Sequence, residues 1–104
     1  MPYDSIKGME NIIKLKDKFI TTDLKDNVTT ARIEVQTDTI LSTDDKTIKT
    51  KELIPFGHKM ALKDINKGDP VIKYGQRIGI ATQNIAIGEL VHTHNLSGER
   101  GMAK

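Results

Sequence analysis

One short pattern occurs twice at an offset of 20 residues, and it restricts what this chain can fold into more than any other feature. Ala61, Asp64, Ile65, Gly68, Asp69 and Val71 recur in step as Ala81, Asn84, Ile85, Gly88, Glu89 and Val91. A worn third copy begins at Ala31, with Glu34, Val35, Asp38 and Leu41 at the same relative positions. Each position has a physical reading. The Ala and Ile are small and large apolar plugs, and Asp or Asn bonds a nearby backbone amide to set a turn. Glycine takes the positive φ of a tight reversal, and Asp38 is of a type that tolerates it. Val then starts the returning strand. Two or three such strand–turn–strand corners build a small closed β structure.

The rest of the chain agrees. From Phe19 onward Thr and β-branched residues dominate, and the run Thr30 to Val35 alternates as a half-buried strand does. Polar clusters at Asp23–Asn27, Thr43–Lys46 and Asn66–Asp69 read as turns. The expected class is all-β: one domain of short strands and tight turns over residues 19–96. An extension over 1–18 precedes it, in which Ile6, Met9, Ile12 and Ile13 have helical spacing, with Asp4 or Ser5 as cap. A polar, flexible tail over 97–104 follows, where Arg100 has the option of pairing with a partner chain's carboxylate.

Several function classes are excluded. The chain has 104 residues, enough for one small domain. No apolar run approaches the ~20 residues of a bilayer span. Lys7, Lys14, Lys16 and Lys18 break up every N-terminal apolar stretch, so no secretory signal is read and a cytoplasmic location is expected. Sixteen basic against 14 acidic residues leave only +2. That charge, with two Phe, two Tyr and no Trp, argues against nucleic acid as a partner. The absence of Cys removes disulfides and thiol nucleophiles. No phosphate-loop pattern surrounds Gly75 and Gly79, and no serine sits in a nucleophile elbow.

The residues left for chemistry lie in the C-terminal half. His92 and His94 form a His-x-His pair after Val91; on a continuing strand both rings would reach one cation, and both are candidate metal ligands. Exposed histidines at a strand end are the alternative. His58 follows Pro55, Phe56 and Gly57, a rigid corner that presents His58 and Lys59, or an ordinary connecting loop. Lys73, Tyr74, Gly75 and Arg77 read either as an anion-binding element or as a plain hairpin.

Taken together these segments resemble a known family. Asp26-Asn27-Val28 with Ala31, Ile54-Pro55-Phe56-Gly57-His58-Lys59 with Asp64-Ile65, Pro70-Val71-Ile72-Lys73-Tyr74-Gly75, Ile78-Gly79 with Ala81-Thr82, and Val91-His92 with His94-Asn95 are similar to the SAF-type domain of altronate and galactarate dehydratases. The resemblance implies a β-clip fold and a lyase acting on a small anionic sugar acid with a divalent metal, usually iron or manganese. In that reaction the proton beside the carboxylate is removed and the neighbouring hydroxyl expelled, giving a 2-keto-3-deoxy acid. It also implies a small subunit, active with a large dehydratase subunit, and leaves self-association open. His58, His92 and His94 become the catalytic candidates, His92 and His94 the metal ligands, and Lys59, Lys73, Tyr74 and Asn95 the contacts to substrate. The small subunit of sulfolactate sulfo-lyase and a non-catalytic SAF-type binding module are the competing readings. Asp38 departs from the family's usual Gly, and the 1–18 extension is longer than usual.

Overall fold

The computed structural model describes residues 12–98. Ten short strands and one helical turn follow in order: β1 (Ile12–Lys14), α1 (Leu15–Lys18), β2 (Phe19–Ile20), β3 (Val28–Ala31), β4 (Ile40–Ser42), β5 (Thr47–Lys49), β6 (Lys59–Ala61), β7 (Pro70–Lys73), β8 (Gln76–Ala81), β9 (Leu90–Val91) and β10 (Leu96–Gly98). The all-β expectation holds. Two details differ. Ile12 and Ile13 stand on a strand paired in parallel with β4 rather than on a helix; Ile6 and Met9 lie outside the described residues. Ser97 and Gly98, expected in the tail, pair with Ile80 and Gly79 in β10; Arg100 lies outside the described residues.

The strands form three small sheets, β1-β4-β5, β10-β8-β7 and the central β2-β3-β6-β9. Alternation along the central strands explains their role. Phe19, Ala31 and Met60 point to one face and join Val35, Leu41, Ile48 and Ile54 in a first core. Val28, Ala61 and Val91 point to the other and join Ile65, Val71, Ala81 and Ile85 in a second. One sheet therefore walls two cores.

The repeat is real, and it has a fourth copy. Corners run over 31–40, 50–59, 61–70 and 81–90. Their eighth residues, Asp38, Gly57, Gly68 and Gly88, all have positive φ, at 66°, 80°, 92° and 91°. The corners work in pairs. Val35 and Ile54 exchange backbone hydrogen bonds of 2.9 and 2.8 Å, and Ile65 and Ile85 exchange two of 2.8 Å. Gly57 N–H donates to Ala31 O and Asp38 N–H to Thr50 O; Gly88 N–H donates to Ala61 O and Gly68 N–H to Ala81 O. The Asp64 and Asn84 side chains do bond backbone amides, but those of the partner corner: Ile87 N–H at 2.9 Å and Lys67 N–H at 2.8 Å. Each corner therefore completes its mate as well as itself.

Candidate functional site

The antiparallel ladder of β6 and β9 sets Lys59 opposite Val91 and Met60 opposite Leu90. One step further out come His58 and His92. Their ring centroids lie 4.6 Å apart with the planes tilted by 47°. The structure thus brings together two of the three histidines, and the imidazole that meets His92 is that of His58.

Both rings are carried on backbone that is tied down. His58 N–H donates to Pro55 O at 3.0 Å, and its carbonyl accepts from Ala31 N–H at 2.9 Å. The His58 Nδ1 lies 3.2 Å from the Phe56 carbonyl. A carbonyl only accepts, so in the neutral ring Nδ1 carries the hydrogen and Nε2 keeps the lone pair. His58 therefore has a free base on the ring nitrogen remote from its own loop.

The His92 side depends on Asn95. Its carboxamide accepts from His92 N–H at 2.9 Å and donates to Leu90 O at 2.8 Å. Its backbone N–H donates to His92 O at 3.0 Å, and its carbonyl accepts from Thr82 N–H at 2.9 Å. The residue is only 3% exposed. These bonds close a turn over 92–95, so the strand expected to continue through His94 ends at Val91. The basis for placing His92 and His94 on one side of a strand is therefore absent. Asn95 itself, expected to touch substrate, has its amide engaged with the chain and acts by shaping the turn. Replacing Asn95 by Ala is expected to cost about 2–3 kcal/mol, because it strands a buried carbonyl and an amide. Asn95→Asp keeps the acceptor for His92 N–H but buries a carboxylate against Leu90 O, so it should be destabilised at neutral pH and recover as the carboxyl is protonated at low pH. Urea denaturation of the two variants measures the difference.

Lys59 and Lys73 are close enough for their charges to interact, and alternation along β6 sets Lys59 on the face of Ala61 rather than that of Met60. Lys59 is half-buried, and that burial, reinforced by the positive charge of Lys73, lowers its pKa below the usual lysine value. The unfolded chain holds this proton more tightly than the folded one. Its charge consequently opposes folding at neutral pH, an effect that fades only as the pH rises past the folded value. Lys73 Nζ also sits 4.9 Å from the centre of the Tyr74 ring, a cation–π contact. Tyr74 and Gly75, with φ of 57° and 70°, form the two-residue turn between β7 and β8, so the hairpin reading of this stretch holds.

Two features near these residues were not visible as such in the sequence. Asp26 accepts from Gly75 N–H at 2.8 Å and from Thr22 Oγ1 at 2.7 Å, which fixes the hairpin tip. Burial pushes its pKa up, but the hydrogen bonds from Thr22, Gly75 and Tyr74 outweigh this and hold the carboxyl below its usual value. Thr30, the partner of Lys59 in the ladder with β3, carries a buried hydroxyl oxygen without a hydrogen-bond partner. No sequence signal distinguishes it from the other strand threonines.

Among the described residues no group of three His, Cys, Asp or Glu side chains is placed to hold a metal ion. Two imidazoles alone do not make a stable site for a resident divalent metal. A metal held by this chain's described residues by themselves does not fit. No helix among those residues is long and apolar enough to cross a membrane.

The family model for the altronate/galactarate dehydratase SAF domain matches residues 17–99. The chain belongs to that family. It is 42% identical over 78 residues to altronate dehydratase of Escherichia coli, a match covering 75% of this chain and 16% of that protein. Over 56 residues it is 45% identical to (2R)-sulfolactate sulfo-lyase subunit alpha of Paracoccus pantotrophus, covering 54% of this chain and 84% of that subunit. The SAF-domain chain thus spans about one-sixth of the altronate dehydratase and most of the sulfo-lyase subunit. All of the paired corners and both contacting histidines fall inside the family's matched span.

Proposed function

We propose that this chain is the small subunit of a sugar-acid dehydratase of the altronate type, and that it supplies one wall of an active site completed by a large subunit. The observation that carries the reading is the His58–His92 contact at the end of the β6–β9 ladder. It puts a ring nitrogen with a free lone pair beside a second imidazole, on the residues that carry the family motifs. In the proposed elimination, His58 Nε2 takes the proton beside the substrate carboxylate or returns one to the departing hydroxyl, with His92 as its partner. The carboxylate lies against Lys59 and Lys73, whose mutual repulsion an anion relieves. Tyr74 is assigned as a further contact to the substrate, and His94 as the outer contact of the turn. A divalent ion, iron or manganese, would be held by residues of the large subunit, and no step above depends on it.

The size of the match to the Paracoccus subunit favours a second reading, the small subunit of a sulfolactate sulfo-lyase, in which a sulfonate group leaves in place of hydroxide. One experiment separates the two. The chain is co-purified with the large lyase chain of the same genome and assayed on altronate, galactarate and sulfolactate. The expected result is a 2-keto-3-deoxy acid from one of the sugar acids, and no turnover by the small chain alone. Sulfite release from sulfolactate selects the second reading. Turnover of altronate by the isolated chain, or no turnover of any of the three by the pair, overturns the shared-site proposal and leaves a binding module.

A further inference from the structure

The two pairs of corners provide an internal control, because they repeat one backbone with different surfaces. In the second pair, the third, fourth and seventh positions hold Lys63, Asp64 and Lys67 in one corner and Gln83, Asn84 and Ile87 in the other. These six positions hold one apolar side chain, Ile87, which packs against the first core. In the first pair the same positions include Ile33, Leu53 and Phe56. These are 48%, 39% and 70% exposed. The Val35–Ile54 bonds and the Gly57-to-Ala31 bond run the two corners antiparallel, which sets Ile33 across from Phe56. The fold does not require apolar residues there, since its own sister corners fill five of those six places with charged and amide side chains and partly bury the sixth, Ile87, against the first core. Leaving a large aromatic and two aliphatic groups in water forgoes a stabilisation that burial against another surface supplies.

From this we infer that Ile33, Leu53 and Phe56 form the face by which the chain docks onto the large lyase subunit. The inference rests on the shared-site reading above and adds the surface that makes it. Two observations select that occupant. Phe56 belongs to the same turn as His58, and its carbonyl is the atom that orients the His58 ring; a protein that covers Phe56 is therefore placed beside the imidazole pair. Among the described residues no third His, Cys, Asp or Glu joins that pair to hold a metal, so the groups that would complete a metal site there come from another surface, which reaches the pair from this end of the ladder. A rigid aromatic with an apolar group across from it is also the usual anchor of a protein–protein contact.

The test exchanges the face for its sister's surface. The triple variant Ile33→Lys, Leu53→Asn, Phe56→Lys carries residue types that the second pair of corners already holds at these positions. Binding to the purified large chain is measured by titration calorimetry, and folding by thermal denaturation. The expected result is at least a 100-fold weaker Kd with a melting temperature close to that of the parent. Phe56→Ala alone, which removes only the anchor, is expected to weaken binding at least tenfold and serves if the triple variant folds poorly. His58→Ala, which leaves the face intact, should bind like the parent. Parent-like affinity of the triple variant or of Phe56→Ala overturns the docking face while leaving the shared-site reading in place. A parent chain that does not bind the large subunit overturns both. Sedimentation of the small chain alone covers the other occupant: a dimer that the triple variant converts to monomer assigns the face to a second copy and overturns the inference.

Discussion

His92→Ala and His58→Ala, each in the assembled enzyme, are expected to lower kcat by at least 100-fold while leaving the melting temperature of the small chain within a few degrees of the parent. A positioned acid or base contributes roughly 10²–10⁴ in rate, whereas His92 is exposed and His58 only half-buried, so little packing is lost. Because the two rings touch, the losses should not add. The double variant is expected to be scarcely worse than either single one, the sign of groups that act as a unit. His94→Ala is the comparison within the same turn, with an expected loss under tenfold. Steady-state kinetics on the co-purified pair reads all four. Parent-like kcat in His92→Ala would remove the imidazole pair from the chemistry.

Gly88→Ala is expected to destabilise the fold severely. At φ +91° an L side chain is strained, and a Cβ here would lie 2.2 Å from the Lys49 carbonyl oxygen. That contact is backbone against backbone, so no side chain can swing aside. The adjoining bond from Lys51 N–H to Gly88 O at 3.0 Å would be strained with it. Strain and collision together cost about 3 kcal/mol or more, on the order of 15 °C in melting temperature for a domain of this size. Gly68→Ala provides the contrast. It has a similar φ, +92°, but nothing within 4 Å of the added carbon, so only the conformational cost of about 1–2 kcal/mol applies. Thermal denaturation of the two variants isolates the collision. Equal losses would show that Gly88 is retained for its φ alone.

The corners were legible because Ala, Ile, Gly and Val survive in two copies and Val35, Asp38 and Leu41 preserve a third. The fourth was hidden by its substitutions. Thr50 replaces the leading Ala, Leu53 the Asp or Asn, and Met60 the returning Val, though all the buried positions among them remain buried. Thr50 even uses its hydroxyl, donating to Gln36 O at 2.7 Å and accepting from Thr39 N–H at 2.8 Å. Which corner pairs with which is carried by backbone bonds and leaves no mark on residue type. The candidate site divides in the same way. His92 and His94 drew attention because they are close in sequence, but the turn closed by Asn95 interrupts the strand that would have aligned them. The contact of His92 with His58 depends on the β6–β9 register across more than 30 residues of chain, which local spacing does not encode.

Since the central sheet lines both apolar interiors, neither half of the domain holds a complete set of walls when parted from the other. Such a unit can pass between polypeptides only as a whole. That indivisibility suits a module whose relatives include both a stretch of a protein about six times longer than the match and a named subunit that it nearly fills.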